Sequence, residues 1–190
     1  MSTGVAGAVL AGGRSRRMGR DKALLEVDGR PMARSVLDAL VAAGVGPLFV
    51  VGGDARRLAA LGAALVADRF PGEGPLGGVI TALHHVGEAA PLVLVAACDL
   101  PDLDRTVLDP LLEAARSTAA ADPPQAIVPR AGRLHPACAV WAVSAAPPLR
   151  TAYDAGERSL HGALVRVRVE IVDVPAAPLR NINTPEQLAR

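Results

Sequence analysis

The chain is 190 residues long with a formal charge of +1, and 51% of it is hydrophobic but only 2% aromatic. That length suits one ordinary domain with its own core, and so few aromatic side chains exclude the base-stacking platforms of single-strand nucleic-acid binders. Near-neutrality excludes a nucleic-acid coat or a polybasic membrane patch, and despite a mean hydropathy of +0.30 no apolar run approaches the roughly 18 residues of a spanning helix.

Apolar β-branched runs alternate with segments of helical period, the pattern of an α/β domain with a mainly parallel sheet. Residues 5–10 read as the first strand and 11–19 as a glycine- and arginine-rich loop. A helix is expected over 31–43, with Pro31 at its start, Met32, Val36, Leu37, Leu40 and Val41 on one face, and Gly44 past its end. A strand at 48–51, a helix at 54–61 and a strand at 63–67 follow. The Gly- and Pro-rich loop 68–78 leads into a helix ending near Val86. Residues 92–97 form the most apolar strand, the expected centre of the sheet, with Cys98-Asp99-Leu100-Pro101 at its carboxyl end. A helix at 105–116, a surface loop at 118–124, strands near Ile127 and over 137–143, a helical part at 149–165 and a strand at 167–174 complete the expected body. Neither a repeat nor a linker divides the chain, so residues 1–190 are expected to form a single domain.

The apolar patch at 5–11 is followed, not preceded, by positive charge, the reverse of a secretory signal. Cys98 and Cys138 make no disulfide framework and lack CxxC or Cys/His metal spacing. A reduced, cytoplasmic protein is the expectation.

Of the 20 basic residues 19 are arginine, and Lys22 is the lone lysine; Asn181 and Asn183 are the only asparagines. A composition biased toward Arg and Ala loses Lys and Asn wherever charge or polarity alone suffices. The survivors therefore mark positions worth following.

Lys22 ends the segment Leu10-Ala11-Gly12-Gly13-Arg14-Ser15-Arg16-Arg17-Met18-Gly19-Arg20-Asp21-Lys22, where the first strand empties into a loop. Adjacent glycines let backbone N–H groups approach an anion, and Arg14, Arg16 and Arg17 surround it with charge, which makes a phosphate cradle. A Gly-Gly turn beside solvated arginines is the plainer alternative. No Gly-Lys-Ser/Thr follows, so this is not a Walker A loop, and the G-x-G-x-x-G spacing of a dinucleotide site is absent. Residues 1–34 carry seven basic and three acidic groups, a net +4, which leaves −3 for the rest of the chain. A neutral protein is thus polarised around its first loop.

The Lys22 ammonium is a compact charge that can follow a phosphate through a transition state. Asp99, at the carboxyl end of the expected central strand, lies where open α/β sheets bind ligands. A carboxylate there suits Mg²⁺, which takes one or two carboxylates plus phosphate oxygens; it would equally suit a turn before Pro101. In Asn181-Ile182-Asn183-Thr184-Pro185-Glu186-Gln187 a capping box accounts for Thr184, Pro185 and Gln187. It leaves unexplained the two amides, which share one side of an extended segment. His84 and His85 diverge by about 100° on a helix and make no metal pair. His135, before Pro136, is a candidate substrate contact or an ordinary loop histidine, and His161 reads as structural.

Together these residues resemble the MobA family, molybdenum cofactor guanylyltransferases within the sugar-nucleotidyltransferase-like fold. The opening loop matches L-A-G-G-x-S-x-R-M-G-x-D-K-x-L-L, Gly74-Pro75-Leu76-Gly77-Gly78 matches G-P-L-A-G, Cys98-Asp99-Leu100-Pro101 matches C-D-x-P, and residues 181–188 match N-V-N-T-P-E-x-L. Gly156-Glu157-Arg158 also resembles a G-E-R segment on the pterin side. The resemblance implies a three-layer, Rossmann-like nucleotidyltransferase domain that transfers GMP from GTP to the phosphate of molybdopterin and releases pyrophosphate. It implies that Leu10, Ala11, Gly12 and Gly13 contact the nucleotide, that Arg17 and Lys22 contact its phosphates, and that Asp68 is a further nucleotide-pocket residue. Asp99 would bind Mg²⁺, with Asn183 as a helper and Asn181 nearby; Lys22, Arg17 and Asp99 would carry the chemistry. Transient contact with molybdoenzymes or other cofactor-biosynthesis proteins also follows from it, and neither nucleic acid nor membrane is expected as a partner.

The family often has an asparagine in the nucleotide pocket after the second strand, where this chain has Val51-Gly52-Gly53-Asp54. Part of base or ribose recognition is thereby unassigned. The nearest alternative is a cytidylyltransferase making the cytosine form of the cofactor, or another nucleotidyltransferase of the same fold; the cytidylyl branch more often reads L-A-A-G and D-x-D-T-P, and Gly12-Gly13 and the two asparagines lean toward guanine. A nucleotide-binding module without turnover is the other, and it would be expected to lack Lys22 or Asp99.

Overall fold

A computed structural model describes residues 4–12, 22–117 and 122–182. In chain order the described elements are β1 (Val5–Leu10), β2 (Glu26–Val27), β3 (Arg30–Pro31), α1 (Met32–Ala42), β4 (Leu48–Val51), α2 (Ala55–Leu58), β5 (Ala64–Val66), α3 (Pro75–Val86) and β6 (Leu92–Ala97). They continue with α4 (Arg105–Ser117), β7 (Ala126–Ala131), β8 (Arg133–Leu134), β9 (Cys138–Ala142), α5 (Ala146–Asp154), α6 (Leu160–Leu164) and β10 (Val169–Asp173).

β1 is buried along its whole length because it has parallel partners on both edges, β4 on one and β6 on the other. The sheet runs β10-β7-β9-β6-β1-β4-β5, with β8 paired to β7. β9 alone runs against its neighbours β6 and β7 on this path, so the sheet is mainly parallel and β6 is its middle strand. Alternation along β1 sorts the core into two layers. Val5 and Val9 face α1 and α4, packing with Val36, Leu37, Leu40, Leu108 and Leu111. Ala6, Ala8 and Leu10 face α3 and α5, packing with Leu76, Val79, Leu83 and Leu149. The result is the α/β domain with a mainly parallel sheet expected from the alternating runs, in the three layers that the resemblance implies.

Three local expectations change. No strand is expected between residues 11 and 31, whereas β2 and β3 form an antiparallel hairpin that makes α1 begin at Met32. Its turn is Asp28-Gly29, both at positive φ (52° and 73°), the Asp-Gly signature of a tight hairpin turn. The helix expected over 54–61 is instead the short α2 followed by a 3-10 turn, Ala59–Leu61, with Asp54 accepting from the N–H groups of Arg56 and Arg57 as its N-cap. The helical stretch expected over 149–165 is two helices. Gly156, at φ 96°, breaks it, and Ser159 caps α6 by accepting from the N–H groups of His161 and Gly162.

β1 is flanked by β4, reached first along the chain, and by β6, reached later on its other side. This reversal of winding opens a crevice at the carboxyl ends of β1 and β6, the place where open α/β sheets hold ligands.

Candidate active site

Leu10, Ala11 and Gly12 leave β1 at that crevice, Cys98 and Asp99 leave β6, and the two exits are tied by the Cys98 N–H donating to the Leu10 carbonyl at 3.1 Å. They line a cleft of about 700 Å³ whose walls include Lys22, Asp68, Arg158 and Asn181. Gly52, at φ 77°, approaches from the end of β4: a Cβ on it would lie 3.1 Å from the Gly12 Cα. Two glycine backbones therefore meet where a side chain on either would narrow the cleft.

Asp99 is the centre of the site. The Lys22 Nζ lies 2.7 Å from its Oδ2, with both side chains only 17% exposed. The Asn181 Nδ2 donates to its Oδ1 at 2.9 Å, and the Ile182 N–H donates to its carbonyl oxygen at 3.0 Å. Arg180, one residue earlier, grips Asp102 with Nε and Nη2 at 3.1 and 2.7 Å, which anchors the returning chain beside the C-terminal end of β6. The lone lysine and the first asparagine thus converge on one carboxylate from 77 and 82 positions away. A charge-assisted contact in a half-dry cleft is stronger than its surface equivalent.

Asp68 lies beyond β5. Its Oδ1 accepts from the Phe70 N–H at 3.0 Å and lies 3.1 Å from the hydroxyl of the buried Thr81. Its Oδ2 faces Gly12, 3.4 Å from where a Cβ would stand. Gly74-Pro75-Leu76-Gly77-Gly78 opens α3, with Pro75 in the first turn. Glycine at 78 leaves room for Leu10, whose Cδ2 would be 3.2 Å from an added Cβ.

Arg158 and Glu73 form the opposite wall. The Arg158 Nε donates to the Glu73 Oε2 at 2.8 Å, and Nη1 donates to the carbonyls of Tyr153 and Glu157 at 2.8 and 2.9 Å. Its guanidinium stacks over the Tyr153 ring at 4.0 Å. Glu157 accepts from the N–H groups of Ser159 and Arg158, which hold its carboxyl below the usual range. Glycine at 162 leaves the space into which that carboxylate turns.

Of the sequence-derived candidates, Leu10, Ala11, Gly12, Lys22, Asp68, Asp99 and Asn181 line the same cleft. Gly13, Arg17 and Asn183 lie outside the described residues, as do Arg14, Arg16 and Arg20. Glu73, Thr81 and Gly52 were not singled out as site residues. Glu73 follows no motif, but Gly52 stands beside the very position where the missing family asparagine draws attention. His135 does not line the cleft. Burial and the Arg133 charge lower its pKa, with a smaller push in the same direction from His161, and His161 itself bonds the Leu134 carbonyl at 3.1 Å. A base whose folded pKa lies below its unfolded value contributes stability above the unfolded pKa that is lost as pH falls through the folded one. The melting temperature should therefore drop between about pH 7 and pH 5, and His135→Gln should make that drop shallower. An unchanged slope in His135→Gln would assign the acid sensitivity elsewhere. Cys138 is a structural thiol, pushed up to about 12 by full burial.

The MobA-like NTP transferase domain family matches residues 7–168. A molybdenum cofactor guanylyltransferase of Cereibacter sphaeroides is 35% identical over 97% of this chain and 93% of its own length. One of Rhodobacter capsulatus is 35% identical over 98% and 94%. The crystal structure of molybdopterin-guanine dinucleotide biosynthesis protein A from Archaeoglobus fulgidus superposes with a TM-score of 0.78 at 28% identity, covering 97% of this chain and 95% of that one. With a family match over most of its length and full-length relatives of this similarity, the chain belongs to the MobA-like NTP transferases.

Proposed function

We propose that this protein is a molybdenum cofactor guanylyltransferase, and that residues 1–190 act as one nucleotidyltransferase domain transferring GMP from GTP to the phosphate of molybdopterin. The observation that carries this reading is the convergence of Lys22 and Asn181 on Asp99 in the crevice between β1 and β6, in a chain whose full-length relatives bear that name.

The chemistry requires no covalent enzyme intermediate. An oxygen of the acceptor phosphate attacks the α-phosphorus of GTP, the bond from that phosphorus to the bridging oxygen breaks, and pyrophosphate carries the electron pair away. Alignment, relief of charge repulsion and stabilisation of the leaving group are what the protein must supply. The Lys22 ammonium, exchanging Asp99 for phosphate oxygens, and Arg17 serve that purpose. Leu10, Ala11 and Gly12, which line the cleft, and Gly13 contact the nucleotide.

Asp99 fits a magnesium ion of one kind. Among the described residues no group of three or more His, Cys, Asp or Glu could hold a metal, so an ion here needs nucleotide phosphates as its remaining ligands, as Mg²⁺ readily takes. Asp99 would hold it, Asn181 would orient the carboxylate, and Asn183 would assist; the bound ion supplies positive charge for the triphosphate. No helix among the described residues is long and apolar enough to cross a membrane, and neither Cys98 nor Cys138 is in a disulfide. Both fit work in a reducing cytoplasm, with transient hand-over of product to molybdoenzymes or other cofactor-biosynthesis proteins.

Pyrophosphate release in the presence of molybdopterin, with GTP and CTP in competition, tests the assignment. GTP should be consumed in clear preference, and a preference for CTP would overturn it in favour of the cytidylyl branch.

A further inference from the structure

Two polar side chains among the described residues are buried in the core, Thr81 and Gln125. Gln125 is explained by the sheet edge: its amide nitrogen donates to the Ser144 carbonyl at 2.8 Å and its oxygen accepts from the Arg168 N–H at 3.3 Å. Thr81, only 1% exposed, stands on α3 behind the cleft. A helical threonine commonly bonds back to the carbonyl four residues earlier, and Thr81 reaches that of Gly77 at 2.9 Å. That habit does not account for its other two contacts. The hydroxyl accepts from the Arg69 N–H at 3.2 Å and lies 3.1 Å from the Asp68 Oδ1, where a carboxylate draws the single hydroxyl proton more strongly than a neutral carbonyl.

We infer that Thr81 is a positioning residue for nucleoside recognition, holding Asp68 so that its Oδ2 is presented to the sugar or base of the nucleotide. This rests on the reading of the cleft as a GTP site. The Asp68 Oδ1 is committed to Phe70 and Thr81, which leaves Oδ2 at the Gly12 wall. Among the described residues no basic side chain pairs with it. An ionised carboxylate only accepts hydrogen bonds, so it suits a ribose hydroxyl or a base N–H and repels a triphosphate. Lys22 and Asp99 then manage the phosphates, and Asp68 with Thr81 manages the nucleoside.

The two tasks separate in a binding experiment on the purified chain with GTP and inorganic tripolyphosphate, which has neither sugar nor base. Thr81→Val and Asp68→Asn should each weaken GTP about tenfold, the worth of one hydrogen bond to a charged group, and neither should weaken tripolyphosphate. Thr81→Ser, which keeps the hydroxyl, should bind GTP about as wild type does. GTP affinity retained in Thr81→Val but lost in Asp68→Asn overturns the role of Thr81. An equal loss of GTP and tripolyphosphate in Thr81→Val overturns it too, because the residue is then merely structural. Retention in Asp68→Asn removes Asp68 from the nucleoside contact and the inference with it. A wild-type chain that binds GTP no more tightly than tripolyphosphate overturns instead the reading of the cleft as a nucleoside site. If Thr81→Val melts below the working temperature, Thr81→Ala carries the same comparison.

Discussion

Lys22→Ala is expected to lower kcat for guanylyl transfer by about a hundred- to a thousandfold, the usual cost of deleting one group that meets developing charge. Asp99→Ala should cost at least as much, since it removes the anchor for both Lys22 and Asn181. The two variants differ in what they leave behind. Lys22→Ala leaves a carboxylate 17% exposed that still has Asn181, whereas Asp99→Ala removes the carboxylate that the ammonium faces at the same depth. Each should also lose about 1–3 kcal/mol of stability from the unmet partner. Lys22→Arg separates the two effects. A guanidinium can still pair with Asp99, so stability should largely return, but its planar fork cannot follow a moving phosphate as an ammonium does, and turnover should stay low. Pyrophosphate release paired with thermal melts of the same samples reads both. Near-wild-type turnover in Lys22→Ala or Asp99→Ala would remove the mechanism that places that residue on the phosphates.

Gly77→Val should be the most damaging change outside the phosphate machinery. A Cβ at this position would stand 2.7 Å from the Phe70 Cβ and 3.3 Å from its Cγ, close to the backbone and beyond what a rotamer change relieves. Phe70 has little freedom to retreat. Its ring lies 4.5 Å from that of Tyr153, the Arg150 guanidinium covers it at 5.4 Å, and its N–H is bonded to Asp68. Overpacking of this kind costs about 2–3 kcal/mol, or roughly 5–10 °C in a domain of this size, and it should raise the KM for GTP by moving Asp68. Gly77→Ala should be milder, because the gain in helix propensity, about 1 kcal/mol, offsets part of the clash. Gly78→Ala should be milder still, since the atom it meets is the far end of Leu10. Denaturant melts of the three variants give the order, and a Gly77→Val protein as stable as wild type would show that the 68–74 loop is not clamped to α3.

The legible parts of the chain are those where one physical rule acts alone. β1, β4 and β6 are runs buried on both faces, so their limits coincide with the limits of the apolar sequence. The hairpin of β2 and β3 escaped because two-residue strands carry no periodicity, although the Asp28-Gly29 turn was in view. The break between α5 and α6 is a local matter of Gly156 and Ser159, which the apolar residues on either side mask. In the site, Lys22 and Asn181 were legible through rarity: a composition that discards Lys and Asn elsewhere had kept them. Thr81 had no such mark. A threonine inside a helix is commonplace, and what distinguishes it is a loop 12 and 13 positions away that only the packing of α3 brings beneath it.

The construction around Asp99 bears on when activity can appear. Its members come from residue 22, from the end of the middle strand and from residue 181, so the cluster closes only after both outer stretches have returned to the sheet. A chain growing from its amino end acquires β1, β4, β5 and β6 and can assemble their parallel pairs well before Asn181 exists. Such a nascent fragment already has the lysine and the aspartate but not the amide that orients the carboxylate. Turnover should therefore appear later than these first parallel pairs, which makes it a late marker of assembly on a growing chain.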